Sequence, residues 1–298
     1  MPIDYVIPFV DCSDENWLFE YKKYVSAPRG WSNNATRFRD WETLRYQLRS
    51  IEKHMPWIRN VFIVMSISKT QIPKWLNTQH ENVHIVWDWE IVPNEYLPVF
   101  NSNVIDLYIP RIEGLSEHYL YACDDYIVMR RLKSEDFFTE NGIKLKIGQY
   151  RLMDWTYTRT IINSNLLICP QHVTKIDTYF LALYCDHAIV PHLKSENLQV
   201  METYHHKIQE SLSRFRESKN LTWLIYPLSL MKKGLLQEGN IKTRFCALRY
   251  ENSIRTLDFA SCDVIVLNDE YRDNFLVGKP LLINRLEEVL PGKSKFEK

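Results

Sequence analysis

Two adjacent carboxylates, Asp124 and Asp125, follow the apolar run His118–Ala122, HYLYA. A pair of acids at a strand end can hold a divalent cation against a diphosphate. Mg²⁺ takes one or two carboxylates and completes its shell with water and phosphate oxygens. Successive strand residues point to opposite faces, so one aspartate would meet the metal while its neighbour orients a loop or a substrate. On local residues alone, a solvated turn carrying two charges is the readier reading. Arg37, Arg39, Arg45 and Arg49 supply opposite charge from a loop and the helix after it. Guanidinium groups match phosphate oxygens two at a time. Arg45 and Arg49 also share a helical face with Glu42 and Glu52, so an exposed, salt-bridged helix is the competing reading. Further along, His187 and His192 flank Pro191 in DHAIVPHLKS, and SRFR ends at Arg216. A histidine that meets two carboxylates and an arginine suits proton transfer in phosphoryl chemistry. The HxxxxH spacing is not HExxH and no third ligand is evident, so zinc is not predicted. No GxSxG elbow or catalytic-cysteine signature occurs.

The elements that must carry these groups read as alternating strands and helices. Tyr5–Val10 (YVIPFV), Val61–Met65 (VFIVM), Val83–Trp87 (VHIVW) and His118–Ala122 read as strands. Asp40–Lys53 has Trp41, Leu44, Leu48 and Ile51 at helical spacing, and His54–Pro56 stops it. A helix is expected to begin after the turn-like 97–101 stretch. The pattern predicts an α/β fold with a mostly parallel central sheet and crossover helices. Ligands of such sheets sit at the carboxyl ends of the strands, where Asp11, Asp14, Asp124 and Asp125 fall. In the second half, Leu198–Arg214, Thr222–Leu235 and Leu281–Leu290 read as helices and Asp263–Leu267 as a strand. The charged stretch 130–146 is the one candidate boundary.

Composition excludes several classes. Lys+Arg and Asp+Glu each number 37, so the 298-residue chain has no net charge and no global field for nucleic acid. Affinity for phosphate must be local. With 8 glycines and no GxGxxG or GxxxxGK[ST], a glycine-rich phosphate loop is not the device. The six scattered cysteines form no CxxC and read as reduced thiols of the cytosol. The start lacks a basic n-region, and no apolar run approaches the roughly 20 residues needed to span a bilayer. The expected compartment is the cytoplasm, with peripheral contact at the inner face of the membrane left open; oligomeric state leaves no mark.

Read together, these strings resemble a known family. IDYVIPFVDCSDENW, RFRDWETLRYQLRSIEKHMPWIRNVFIV, IPKWLN, YLPVFNSNVI and RIEGLSEHYLYACDDYIV are similar to the first two conserved regions of the Stealth family. DHAIVPHLKS with SRFRESKNL resembles the third, and VLNDE with LPGKSKFEK the fourth. The family contains bacterial capsule polysaccharide phosphotransferases and the catalytic subunit of the animal N-acetylglucosamine-1-phosphotransferase. The resemblance implies one catalytic domain over residues 1–298, with a nucleotide-sugar-binding α/β half (1–130) and a second half (131–298) completing the active site. It implies a core similar to nucleotide-sugar, GT-A-like glycosyltransferases, with a helical C-terminal part. The implied reaction moves hexose-1-phosphate, N-acetylhexosamine-1-phosphate in particular, from a UDP-sugar to a glycan hydroxyl and releases UMP. The alternative is a metal-dependent glycosyltransferase that moves the sugar alone and releases UDP. The implied cofactor is a divalent metal, Mg²⁺ with Mn²⁺ as the substitute.

The motif match also assigns residues. Asp124 and Asp125 fall at the strand-end acidic pair, for metal binding or deprotonation of the acceptor. His187 takes the third-region histidine's position, for acid–base work or charge stabilisation, and Arg216 that of the arginine which binds phosphate charge. Asp11 and Asp14 match the acidic turn near the nucleotide. Arg37, Arg45, Asn101 and Ser102 are expected substrate contacts, and Asn268 with Asp269 match a fourth-region pair assigned to the metal. Phe9, Cys12 and Asn220 depart from the family's usual tryptophan, glycine and aspartate.

Overall fold

The computed structural model describes residues 1–25, 38–185 and 187–298. In chain order the first half gives β1 (Ile3–Pro8), α1 (Glu15–Tyr24), α2 (Thr43–His54), β2 (Val61–Met65), β3 (Val83–Trp87), α3 (Asp88–Ile91), α4 (Ser102–Tyr108), β4 (His118–Tyr121) and β5 (Tyr126–Val128). The short strand β6 (Ile143–Lys144) precedes β7 (Gly148–Met153), α5 (Thr156–Ile168), β8 (Thr174–Ile176), β9 (Tyr179–Tyr184) and β10 (Val190–Leu193). The last third holds α6 (Lys194–Thr203), α7 (His205–Ser211), α8 (Ile225–Lys232), β11 (Leu236–Gln237), β12 (Thr243–Leu248), α9 (Glu251–Arg255), β13 (Val264–Asp269) and α10 (Phe275–Val289).

The central sheet runs β10-β4-β1-β2-β3. β1 pairs in parallel with β2 and β4, β2 pairs in parallel with β3, and only the edge strand β10 is antiparallel. The near-continuous apolar runs of β1 and β2 follow from this position, because a central parallel strand is covered on both faces. From β1 the chain moves to β2 and β3 on one side, then returns to place β4 on the other. The strand order therefore reverses between β1 and β4, the crevice where open α/β sheets take their ligands.

A second sheet, β12-β13-β5, abuts this end. β13 is antiparallel to β5, and the Leu267 N–H donates to the Asp125 carbonyl (3.0 Å). A third, antiparallel sheet, β7-β9-β8, brings β9 into the same neighbourhood. The main apolar cluster includes residues from Ile3 to Phe296 and so draws on both halves of the chain. A smaller cluster joins Trp41 and Tyr46 to Leu267, Leu282 and Leu286, binding the second sheet and α10 to α2.

Expected elements mostly stand, with shifted ends. The α2 helix begins at Thr43, not Asp40, because Glu42 takes a left-handed backbone (φ 60°) and its N–H donates to Asp40 Oδ1 (2.7 Å). This turn removes Asp40 and Trp41 from the helix and points them towards α10. The single helix expected over 198–214 is two, broken at Tyr204. α10 begins six residues before the expected Leu281 and carries Pro280 inside it. No described helix is long and apolar enough to cross a membrane.

Candidate active site

The crevice between β1 and β4 is lined by residues that the strand ends deliver. Asp11 follows β1, and Asp124 and Asp125 link β4 to β5. The Gln47 side chain on α2 donates to the Cys123 carbonyl (2.9 Å), holding the acidic link against the helix. Burial pushes the Asp124 carboxyl well above the usual carboxylate range, and the nearby charges of Asp125 and Asp40 add to it. Burial likewise raises Asp40; Lys279 opposes the shift, while Asp11 and Glu42 reinforce it. Four aspartates, 11, 40, 124 and 125, thus share one electrostatic environment. Asp40 was not singled out by sequence.

Antiparallel pairing of β10 with β4 matches Val190 to Tyr121. His187 lies three residues before that pair, outside β10. His187 has a left-handed backbone (φ 41°) and packs its ring on Phe245 of β12 at 4.2 Å between centroids. His192 goes elsewhere: it is 2% exposed, stacks on Tyr119 (4.9 Å), and faces the Asn197 amide (3.0 Å). Burial drops its pKa to about 3. It is a neutral core histidine at physiological pH.

The other wall of the site comes from the loop after α7. Arg216 Nη2 donates to Ser102 Oγ (2.8 Å), joining two residues that sequence placed more than a hundred positions apart. One turn along α4 from Ser102 lies Asp106, which sequence reasoning missed. It is 4% exposed, and its Oδ1 has no hydrogen-bond partner. Burial raises it to about 7, opposed by a bond from Tyr121 and the charge of Arg216. The charges of both Asp125 and Asp106 act on the Cys123 thiol between them, so the two walls are continuous. The signal available was the i, i+4 spacing of Ser102 and Asp106 on a short helix.

Other expected contacts hold the backbone of the site. Asp11 accepts from Ser13 N (2.8 Å) and Ser13 Oγ (2.7 Å), and its main chain exchanges two bonds with the Gln71 amide (2.9 Å each). Asp14 caps α1 by accepting from Trp17 N (2.7 Å). Asn101 caps α4 and donates to the carbonyls of Ser213 and Phe215 and to Asn220 Oδ1. Asn220 in turn donates to the Ser211 carbonyl (2.5 Å) and accepts from Glu217 N (2.7 Å), a double role that an aspartate could not fill. Arg45 pairs with Glu42 (3.0 Å) and lies near Glu297 and over Trp75, about 200° around α2 from Gln47. The salt-bridged reading describes its surroundings. Arg37 lies outside the described residues.

Asn268 and Asp269 end β13, which the register with β5 carries towards Asp124. Both Asp269 oxygens are taken by Arg39, at 2.8 and 2.6 Å, and Arg39 also lies over the Phe275 ring. Arg39 is therefore a residue that sequence noted without assigning. Among the described residues no three of His, Cys, Asp and Glu converge into a metal cage. The two aspartates of the link and the nearby Asn268 amide, which donates to Glu270 Oε1 (3.3 Å) and keeps its oxygen as a donor atom, offer hard oxygens, the chemistry of Mg²⁺ or Mn²⁺. The crowding of like charge on Asp124 is what a bound cation would offset. A surface cleft of about 410 Å³ at the far end of α4, beside Tyr108, Arg111 and Leu198, shares none of these residues.

Residues 37–146, which contain α2, α4 and the acidic link, match the family model described as Stealth protein CR2, conserved region 2. The capsular polysaccharide phosphotransferase CpsJ of Streptococcus thermophilus is 35% identical over 173 residues, covering 57% of this chain and 71% of the relative. The chain belongs to the Stealth family. Relatives extend over its full length: the capsular polysaccharide phosphotransferase WcwK of Streptococcus pneumoniae is 29% identical over 329 residues, 99% of each chain. Among solved structures, the galactosyltransferase LgtC in complex with donor and acceptor sugar analogs covers 99% of the Stealth chain and 98% of its own, with a TM-score of 0.43 and 11% identity.

Proposed function

We propose that this Stealth chain is a sugar-phosphate transferase of cell-surface polysaccharide synthesis, moving hexose-1-phosphate from a UDP-sugar to a glycan hydroxyl and releasing UMP. N-acetylhexosamine-1-phosphate is the donor group we favour. The observation that supports the reading is an acidic pair at the switch-point crevice, joined through Cys123 and Asp106 to an arginine held by Ser102. In this reaction the acceptor oxygen attacks the sugar-side phosphorus, the bond to the bridging oxygen breaks, and UMP leaves with that oxygen.

Asp124 and Asp125, with the Asn268 carbonyl, would hold Mg²⁺, which neutralises diphosphate charge when bound. Asp269 is committed to Arg39 and is left out of that set. Asp125 is our candidate to take the acceptor proton. His187, just before β10, would stabilise charge or return a proton to the leaving oxygen. Arg216, backed by Ser102, would bind the transferring phosphoryl group. Asp11, Asp14 and Asn101 would act through the loops they hold. Phosphoryl transfer asks for positioning and neutralised charge, and these groups supply both. The test is incubation with a panel of nucleotide sugars and glycan acceptors, followed by nucleotide analysis and ³¹P NMR. A phosphodiester signal together with UMP is expected. A phosphorus-free product with UDP would mean attack at the sugar carbon and overturn the proposal.

A further inference from the structure

The start of α5 and the end of β9 meet beside Arg216, and neither has yet been given a role. Tyr157, in the first turn of α5, presents its ring to the guanidinium, with Arg216 Cζ 5.3 Å from the ring centroid. On another side the same guanidinium donates to Ser102. The Tyr157 hydroxyl lies 3.2 Å from that of Tyr184, and either can donate. Tyr184 is the last residue of β9, three positions before His187. Tyr157 is 36% exposed as a residue, yet burial of its hydroxyl end raises the phenol's pKa, with the Arg216 charge opposing. A side-chain brace thus runs from Ser102 through Arg216, Tyr157 and Tyr184 to the strand that leads into the His187 segment.

An arginine side chain has many rotamers, and a planar face with a fixed hydroxyl opposite removes most of them before substrate arrives. We propose that Tyr157 is a positioning residue: its ring seats the Arg216 guanidinium, and its bond to Tyr184 sets the spacing between Arg216 and the His187 segment. The inference rests on the reading of Arg216 as the phosphate-binding arginine and adds what holds it in place. A tyrosine that merely filled space would give a different result in a coupling experiment.

The experiment is a double-mutant cycle on the full chain with Tyr157→Leu, Arg216→Gln and their combination, measuring kcat and the KM of donor and acceptor. Tyr157→Phe and Tyr184→Phe serve as conservative partners. Tyr157→Leu should lower kcat on the order of tenfold, the scale of a lost cation–π seat, with acceptor KM within about twofold. Tyr157→Phe keeps the ring but loses the bond to Tyr184, so it should fall severalfold, like Tyr184→Phe and less than Tyr157→Leu. In the Arg216→Gln background, Tyr157→Leu should cost little more, because the group it seats is gone. Multiplicative losses in the double variant would show that Tyr157 acts independently of Arg216 and overturn the inference. Parent-like kinetics in Arg216→Gln would instead show that the reading of Arg216 had failed, and the inference with it. Should Tyr157→Leu not fold, Tyr184→Phe decides: a fall of severalfold in kcat at unchanged melting temperature is expected, and no change counts against the brace.

Discussion

Two buried groups that face Tyr121 titrate in opposite senses. Tyr121 donates to Asp106 on one side and packs on His192 on the other. Burial raises Asp106 to about 7, so the folded state keeps a proton that the unfolded chain loses above about 4. Its contribution to stability is therefore lost as pH rises from about 4 to 7. Burial lowers His192 to about 3, so the unfolded chain takes a proton below about 6.5 that the folded state refuses. Its contribution is lost as pH falls from 6.5 to 3. Between pH 4 and 6.5 the two slopes oppose one another. We predict that His192→Gln exposes the Asp106 slope and loses stability with rising pH, whereas Asp106→Asn exposes the His192 slope and gains it. Each slope should approach about 1.4 kcal/mol per pH unit relative to the parent. Urea unfolding at several pH values checks this, and parallel curves for the two variants would refute it. At this scale motifs in the sequence named Asp124, Asp125, Ser102 and Arg216. The sequence was silent on Asp106, Asp40 and Tyr157, whose roles depend on neighbours far along the chain. Burial and pairing are three-dimensional properties, and local spacing does not encode them.

The same division holds for elements, and α2 is the clearest case. Its apolar stripe of Leu44, Leu48 and Ile51 was legible, but its polar face belongs to the C-terminal segment. Arg49 is 8% exposed and grips Glu297 in bidentate fashion (2.7 and 2.9 Å), with further bonds to Glu287 (2.7 Å) and the Leu290 carbonyl (3.0 Å). A buried pair is costly to break because the survivor is left charged in a dry site. We expect Arg49→Leu to lose about 3 kcal/mol of unfolding free energy, and Arg49→Leu with Glu297→Leu to regain most of it. Both should keep parental kcat at temperatures where they are folded, since this face points away from the crevice. Equal destabilisation of single and double variants would mean that packing, not the orphaned charge, sets the cost. Strands β1, β2 and β4 were readable because central parallel strands are near-continuous apolar runs. The antiparallel strands β7 to β9 were not: Gln149 and Arg151 alternate with Tyr150 and Leu152, leaving no run to recognise. α10 defeated the rule that proline opens a helix. Its first turn persists ahead of Pro280 because Phe275 packs on Trp41 (4.8 Å) and beneath Arg39.

Across the whole molecule, the crevice is assembled from both halves of the chain. Asp11 and the acidic pair come from the first half; Arg216 and Asn268 come from the second. What it gathers is mostly negative around Asp124, and Arg216 supplies positive charge on the other wall. A phosphate ligand alone would add charge to the acidic side, and a cation alone would lack its phosphate oxygens. Binding should therefore be synergistic. A ligand that binds only the folded state stabilises it by about 1.4 kcal/mol at ten times its Kd. For a chain of this size that corresponds to a melting shift of roughly 2–4 °C. We predict that Mg²⁺ and UMP together raise the melting temperature by more than the sum of their separate shifts, and that a chelator abolishes the excess. Asp125→Asn should remove the excess while leaving the metal-free protein at least as stable as the parent, because it relieves crowding among like charges. Turnover of the parent should stop with the chelator and return with added Mg²⁺. A UMP shift that is indifferent to Mg²⁺ would place the nucleotide away from the acidic pair, and would leave Arg216 to bind phosphate without a metal beside it.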